Sequence, residues 1–111
     1  MKLEEQRQGE VVVLQPTGVI SGDDTERLRQ RLVELTETSQ DRIVVDLALV
    51  PQIDSAALEV LVEAAERLIR SGSSLVLASA SELIQEILEI TEVDSLFEQR
   101  DGLALATGGN S

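Results

Sequence analysis

The N-terminal part of the chain shows a polar stretch followed by an apolar run. Residues 2–8 are polar and predict at best an edge strand, whereas residues 11–14 are three valines and a leucine, which favour a buried strand. Gly9 lies between them, where a turn residue is expected, and Pro16 and Gly18 end the apolar run. The two segments therefore predict an antiparallel hairpin.

Beyond the hairpin, helix-like and strand-like spacing alternate along the chain. A capping-box spacing begins at Asp23, and the leucines that follow recur at helical intervals, so a helix is predicted that ends at residues 38–39. Residues 42–47 are apolar on both faces, as expected of a central strand with helices on either side. A second helix is predicted over residues 54–71, with Gly72 as its C-terminal stop.

The C-terminal part repeats this order with weaker signals. Residues 75–78 are again apolar on both faces and predict a strand, and residues 79–82 open a third helix. One more helical turn is predicted over residues 93–97, and a weak final strand over residues 103–106. The tail, residues 107–111, consists of Gly and small polar residues and is predicted to be disordered. The third helix is expected to bury a stripe formed by Leu83, Ile84, Ile87 and Leu88.

The alternation of strands and helices defines an α/β fold. Short right-handed crossovers imply parallel central strands, and the N-terminal hairpin makes the sheet mixed. We therefore predict one domain over residues 1–106, with a mixed sheet of four to five strands, parallel central strands and three to four helices. The length of 111 residues fits a single domain, and the 42% of apolar residues are enough to form a core.

The composition excludes several kinds of chemistry. The chain has no Cys and no His, which excludes disulfides, thiolate nucleophiles, Cys zinc sites and Ser-His-Asp triads. Neither a calcium-loop pattern nor a glycine-rich phosphate loop occurs. The single aromatic residue, Phe97, cannot supply the stacking platforms of a sugar cleft or of a single-strand binder. We therefore expect a protein that is not an enzyme and that has no cofactor and no metal site.

The charge balance narrows the choice of partners. Nine Lys and Arg residues against 21 Asp and Glu residues give a net charge of −12, which repels the phosphates of nucleic acids and anionic lipid surfaces. Residues 1–7 lack the apolar segment of a secretion signal, and no apolar run approaches the roughly 20 residues that span a bilayer. We therefore expect a soluble cytoplasmic protein with no nucleic-acid partner and no direct membrane insertion.

Two polar positions near the ends of the predicted central strands are candidates for function. Asp46 lies near the end of the strand over residues 42–47, where response-regulator receiver domains carry their phosphoacceptor Asp. The acidic residues after the first buried strand and the late Lys that receivers use are absent, since the only lysine is Lys2. Ser55 follows Asp54 at the start of the second helix, and on spacing alone it is explained most simply as a helix cap.

The order of short motifs along the chain adds information that single residues do not. A strand ending in Asp-Leu is followed by an Asp-Ser-x-x-Leu helix start, a Gly-x-x-Leu strand and a third helix that begins at a Ser. This order resembles the STAS domain family, specifically the small stand-alone anti-sigma factor antagonists, and the resemblance covers residues 8–105. The residues that carry it are Asp46-Leu47, Asp54-Ser55-Ala56-Ala57-Leu58, Gly72-Ser73-Ser74-Leu75 and Ser81, with Leu88, Thr91, Leu96 and Phe97 in the closing segment.

The resemblance implies a regulatory role for Ser55. It places Ser55 at the residue that is phosphorylated by a cognate serine kinase, which is itself the anti-sigma factor, and that a metal-dependent serine phosphatase resets. The chain departs from the family pattern at three places, which favours a redirected partner preference. These are Ala56 and Ala57 in place of a Ser and a Gly, Ser21 in place of an acidic residue, with Asp23 and Asp24 close by, and Glu92 in place of a Gly.

Helical spacing places Ser55 on the polar side of the second helix. The same side carries Glu59, Glu63, Glu66 and Arg70, with Arg67 at its margin. The opposite side, expected to be core, carries Leu58, Leu61, Ala65, Leu68 and Ile69. Ala56 and Val60 lie between the two sides, and either another helix covers them or they form a partner-binding patch beside Ser55.

We therefore expect an anti-sigma factor antagonist that binds a serine-kinase anti-sigma factor when dephosphorylated and is released by phosphorylation of Ser55. Two alternatives stay open. One is a constitutive STAS subunit of a larger complex, such as a lipid-transport assembly, and the other is a receiver-like protein phosphorylated on Asp46. The expected partner-binding residues are Ser21, Asp23, Asp54, Ser55, Ala56, Glu59 and Val60.

Overall fold

Five strands form one mixed sheet in the structure, a computed structural model that describes residues 1–38 and 42–103. They are β1 (Lys2–Gln8), β2 (Val11–Thr17), β3 (Arg42–Asp46), β4 (Leu75–Ala78) and β5 (Phe97–Arg100). Their order in the sheet is β1-β2-β3-β4-β5; β1 is antiparallel to β2, and all the other neighbours are parallel. The predicted α/β fold with a mixed sheet and parallel central strands is confirmed.

The N-terminal hairpin forms as predicted. β1 and β2 pair along their whole length, and Gln8 lies opposite Val11 at the turn. Gly9 in that turn has a φ of +61°, a left-handed conformation that glycine adopts readily because it has no Cβ. Apart from Leu3, the residues of β1 are exposed, which agrees with the polar composition of an edge strand.

Three helices connect the parallel strands of the described chain: α1 (Asp23–Thr38), α2 (Ser55–Arg70) and α3 (Glu82–Ile90). Strands β2 to β5 lie in the sheet in chain order, so every right-handed crossover turns the same way and places its helix on the same face. The expectation of helices on either side of the central strands is therefore wrong for α1, α2 and α3.

The two faces of the sheet are buried in separate apolar clusters. The helix-covered face contributes Val12, Leu14, Ile43, Val45, Leu75 and Leu77 to the main core. The opposite face carries a smaller cluster of Val13, Val44, Val76 and Ala78, against which Leu103 packs. The central strands are therefore apolar on both faces, as predicted, although helices α1 to α3 cover only one of them.

The end of the described chain differs from the prediction. The turn expected over residues 93–97 is present as a 3₁₀ helix, Asp94–Leu96, but it leads directly into β5, which was not predicted, and Leu103, where the final strand was predicted to begin, is not in a strand. Phe97 begins β5 opposite Leu75 and is 7% exposed, so burial of the one aromatic side chain fixes the strand position. Residues 104–106, predicted as a strand, and the tail over residues 107–111 lie outside the described residues.

Two helices bury fewer residues than expected. In α3, Ile84 and Leu88 are fully buried, but Leu83 is 46% exposed and Ile87 is half-buried, so the predicted four-residue stripe is wrong in part. In α2, Ile69 was expected in the core and is 46% exposed. None of the helices within residues 1–38 and 42–103 has the length and apolar character needed to cross a membrane.

Candidate functional site

The candidate site lies at the edge of the sheet where β2 and β3 end. The segment between β2 and α1 and the segment between β3 and α2 leave the sheet at this edge because the two strands are parallel. An isolated parallel bridge between Ile20 and Ile53 joins the two segments. Ser21 directly follows Ile20, and Asp54 directly follows Ile53. The structure therefore places the two segments that carry the predicted partner-binding residues side by side.

Ser55 is the first residue of α2, and it is exposed. Asp54 is the N-cap of that helix: its backbone is extended, and its Oδ1 accepts a hydrogen bond from the Ala57 N–H at 2.8 Å. The explanation of Ser55 as the helix cap is therefore wrong, since Asp54 fills that role. Within the described residues the Ser55 hydroxyl has no hydrogen-bond partner, which leaves it available to another molecule.

Asp46, the alternative phosphoacceptor, is used differently. It is only 3% exposed, and its Oδ2 accepts a hydrogen bond from Gln15 Nε2 at 2.8 Å. Its Oδ1 accepts a second hydrogen bond from the Ala48 N–H at 3.0 Å. Both oxygens are thus occupied in holding the start of the β3–α2 segment, and this geometry disfavours a receiver-like role.

Two exposed apolar side chains lie in the segments that leave the sheet at this edge, and the sequence analysis did not identify them. Val19 is 42% exposed and Leu49 is 50% exposed. A hydrogen bond from the Gly18 N–H to the Leu49 carbonyl oxygen, at 2.8 Å, ties the two segments that carry these side chains. Their sequence positions carried a signal for exposure: Val19 follows a turn glycine, and Leu49 lies in a loop with a proline. Neither residue fits the period of a strand or a helix, so neither was expected in the core.

The patch expected beside Ser55 is only partly correct. Ala56 and Glu59 are exposed, but Val60 is 1% exposed and belongs to the main core cluster. Val60 therefore cannot contact a partner in this conformation, because α2 turns that side of the helix into the core. We use the name Ser55 face for seven exposed residues at this edge, namely Val19, Ser21, Leu49, Asp54, Ser55, Ala56 and Glu59.

The charges around the Ser55 face are negative and uncompensated. Asp23, Asp54 and Glu59 are exposed and form no ion pair within the described residues. Arg29 of α1 is bound to Glu63 at 2.6 Å, and the basic residues of α2 itself lie in its last turn. No group of three or more acidic side chains within residues 1–38 and 42–103 is arranged to hold a metal ion.

The fold and the site together define a small α/β domain with an exposed serine at a helix start. A family model described as "Mlab, STAS domain" matches residues 3–98. The chain therefore belongs to the STAS domain family, and the resemblance found in the sequence is confirmed.

Several known proteins with similar sequences or folds are described as anti-sigma factor antagonists. The chain is 30% identical over 80 residues to BtrV of Bordetella bronchiseptica, a candidate anti-sigma factor antagonist. The aligned residues cover 72% of this chain and 69% of BtrV. Its fold is similar to that of a candidate anti-sigma factor antagonist from Thermotoga maritima, with a TM-score of 0.86, 22% identity and coverage of 96% and 92% of the two chains. It is also similar to phosphorylated SpoIIAA of Bacillus, with a TM-score of 0.79, 12% identity and coverage of 99% and 100%.

Proposed function

We propose that the protein is an anti-sigma factor antagonist that acts by partner switching. In the dephosphorylated state it binds a serine-kinase anti-sigma factor through the Ser55 face and thereby frees a sigma factor. Phosphorylation of Ser55 releases the kinase. The observation that carries the proposal is the exposed Ser55 hydroxyl, which has no partner within the described residues and stands at a helix start that Asp54 already caps.

The switching step is a phosphoryl transfer from ATP, which the kinase binds, to Ser55. The bond between the γ-phosphorus and the leaving oxygen of ADP breaks, a bond from phosphorus to Ser55 Oγ forms, and the hydroxyl proton passes to a base of the kinase. A metal-dependent serine phosphatase resets the protein by hydrolysis, which returns the Ser55 hydroxyl and releases inorganic phosphate. The chain itself then needs no cofactor.

Charge explains why phosphorylation weakens binding without unfolding the domain. The phosphate adds about −1.5 to −2 charges beside Asp54 and Glu59, and the N-terminus of α2 offsets only about 0.3–1 kcal/mol of the repulsion. An exposed phosphate keeps most of its hydration, but one covered by a partner does not. Unit charges about 4 Å apart interact by about 4 kcal/mol at an effective dielectric constant of 20. Since each 1.4 kcal/mol is a factor of ten in affinity, we expect release by about 10² to 10³.

The surface that contacts the kinase combines polar and apolar groups. Val19 and Leu49 supply apolar area that would be desolvated on binding, as the centre of an interface requires. Ala56, exposed in the first turn of α2, allows close approach to the helix start. The polar residues that we assign to this contact are Ser21, Asp23, Asp54, Ser55 and Glu59.

The experiment combines the purified protein with a candidate serine-kinase anti-sigma factor from the same organism. With ATP, we expect one phosphoryl group on Ser55 of the wild type and none on Ser55→Ala, as measured by mass spectrometry. By calorimetry, Ser55→Asp should bind the kinase at least tenfold more weakly than wild type. The matched control is Ser73→Asp, which adds the same charge at an exposed position beyond the C-terminal end of α2. Absence of the phosphoryl group together with unchanged binding of Ser55→Asp would contradict the proposal.

A second candidate function is a constitutive STAS subunit of a larger complex, without a switch. Ala56 and Ala57 stand where the antagonist motif has Ser and Gly, and Ala57 is fully buried, so this helix start differs from that motif. Such a subunit would co-purify with membrane-transport components, and Ser55→Asp would leave that association unchanged. Loss of the association in Ser55→Asp would favour the switch instead.

A further inference from the structure

A second apolar surface lies on helices α2 and α3, away from Val19 and Leu49. Three aliphatic residues of α2 follow at spacings of four and seven, and three of α3 follow at spacings of four and three, so each set shares one side of its helix. The six residues, named here the α2–α3 strip, are Leu58, Val62 and Ile69 of α2 and Leu83, Ile87 and Ile90 of α3.

The contacts of α2 fix the direction of its three residues. Glu63 is bound to Arg29 of α1, and Arg67 donates a hydrogen bond to Thr36 of α1 at 3.1 Å, so this side of α2 faces α1. At 100° per residue, the α2 part of the strip lies about 140° around the helix from that side. It therefore points away from α1 and toward the position of α3.

The α3 residues point back toward α2. Ile84 and Leu88 are fully buried and define the side of α3 that faces the core. The α3 part of the strip lies about 110° around the helix from that side, and in a right-handed β4-α3-β5 crossover this direction faces α2. The α1 and α2 backbones run close together, whereas α2 and α3 do not pack directly on each other, and the 3₁₀ helix Asp94–Leu96 contacts both of them.

Three of the six residues of the strip are exposed, and Leu58 and Val62 pack partly against the main core. Ile69 and Leu83 are each 46% exposed, and Ile90 is 79% exposed. Leu58, Val62 and Ile87 are half-buried. A row of aliphatic side chains with this exposure exceeds the isolated apolar residues that are normal on a protein surface, and such rows mark interaction sites.

Acidic residues border the strip. Glu59 and Glu66 of α2 and Glu86 of α3 are exposed, and none of them forms an ion pair within the described residues. The basic Arg70 lies only at the C-terminal end of α2. A second copy of this chain would bring like charges together at the strip, which disfavours a second copy as its occupant.

We propose that the α2–α3 strip is a docking site for an amphipathic helix of a partner protein, with an aliphatic stripe flanked by Lys and Arg. The aliphatic stripe covers the six exposed and half-buried side chains, and the basic flanks pair with the bordering carboxylates. The six residues of the strip are distinct from those of the Ser55 face, but Glu59 borders both sites and Leu58 lies one helical turn after Ser55.

The test uses two synthetic 18-residue helical peptides with the same leucine stripe, one flanked by Lys and the other by Glu. In a titration of ¹⁵N-labelled protein followed by NMR, the Lys peptide should shift amides of α2 and α3, and the Glu peptide should bind at least tenfold more weakly. The double variant Ile69→Gln/Ile90→Gln should weaken the Lys peptide at least tenfold. The matched control, Leu49→Gln, removes an equally exposed apolar side chain from the Ser55 face and should change binding less than twofold.

Several outcomes would overturn the proposal. These are equal binding of the two peptides, shifts centred on the Ser55 face, and undiminished binding to the double variant. Sedimentation that shows a wild-type dimer dissociated by Ile69→Gln would assign the strip to a second copy instead. If circular dichroism shows that the double variant is unfolded, the single variant Ile90→Gln, at a 79% exposed position, decides in its place. None of these results depends on the kinase, so they leave the Ser55 proposal to its own test.

Discussion

Carboxylates are paired with cations on one side of the molecule and unpaired on another. The paired side is formed by β1 and α1, and the unpaired side is the Ser55 face. On the β1–α1 side, Glu5 accepts two hydrogen bonds from Arg31, at 2.5 and 2.7 Å, and the N-terminal ammonium binds Asp24 at 3.0 Å. On the Ser55 face, the exposed Asp54 and Glu59 form no ion pair within the described residues.

The chain has nine Lys and Arg residues for 21 Asp and Glu residues, so most carboxylates cannot have a basic partner, and the positions of the arginines decide which ones do. Arginines of α1 attach an exposed edge strand and join α1 to α2, where a fixed geometry is needed. The Ser55 face keeps its negative charge, so an added phosphate finds no cation beside it to offset repulsion. A surface that holds a phosphate commonly places Arg beside it, so the lack of an Arg in the Ser55 face agrees with the proposed release of the kinase on phosphorylation.

The largest effect that we expect is a loss of folding stability on substitution in the core, which substitution in the Ser55 face should not cause. Leu61 of α2 is fully buried, and Leu61→Ala should lower the free energy of unfolding by about 2–5 kcal/mol because it leaves a cavity. Leu49→Ala, at a 50% exposed position, should change it by less than about 0.5 kcal/mol while weakening kinase binding. Urea unfolding and calorimetry measure the two quantities. A large loss of stability in Leu49→Ala would show that this loop side chain belongs to the fold.

The next prediction replaces an unpaired carboxylate of the Ser55 face by a cation. Glu59 lies one helical turn after Ser55, so Glu59→Arg would place a cation beside the phosphate. We expect the ratio of kinase affinities before and after phosphorylation to fall by about tenfold, which corresponds to about 1.4 kcal/mol. The comparison of both proteins in both states removes any direct contribution of residue 59 to binding. Glu66→Arg, about two turns farther from Ser55 than Glu59, is the control and should change the ratio less; an equal change would argue against local repulsion.

A smaller effect tests which residue caps α2. Asp54→Ala removes the acceptor of the Ala57 N–H bond and should cost about 1 kcal/mol of stability. Ser55→Ala should change stability by less than about 0.5 kcal/mol, because its hydroxyl has no partner within the described residues. Thermal unfolding of the two variants decides between them, and an equal loss in Ser55→Ala would return the capping role to the serine.

The sequence predicts the fold well where the apolar pattern has a clear period. The positions of the hairpin, α1, β3, α2 and β4 follow from valine and leucine spacing, and β5 was missed because Phe97–Arg100 contains one apolar residue in four. The placement of Ser55 on an accessible surface also follows from helical spacing. Val60 was misplaced because a helical wheel shows relative direction around α2 but not how far the neighbouring core extends. Val19 and Leu49 lie in segments without a period, so only the folded chain shows their exposure.

The smallest effect concerns the paired side of the molecule. The hydrogen bond from Arg31 lowers the pKa of Glu5 below its ordinary value. Because the folded pKa is the lower one, ionised Glu5 stabilises the fold above the unfolded pKa, and the contribution is lost as the pH falls through the folded value. Exposed pairs contribute about 0.2–1 kcal/mol, so Glu5→Gln should be less stable than wild type by that amount at pH 7.

As the pH falls below the ordinary Glu pKa of about 4.3, the two proteins should begin to converge in stability, and the convergence is complete below the lowered pKa of folded Glu5, where the side chain loses its charge attraction to Arg31. At pH 7, 1 M NaCl should narrow the difference as well, because salt screens exposed pairs. Glu10→Gln, at an exposed carboxylate in the hairpin turn, is the matched control and should show neither dependence. Urea unfolding as a function of pH measures all three proteins. A difference between wild type and Glu5→Gln that grows on acidification would mean that the pair does not stabilise the edge strand through charge, and the contrast with the unpaired Ser55 face would then need another cause.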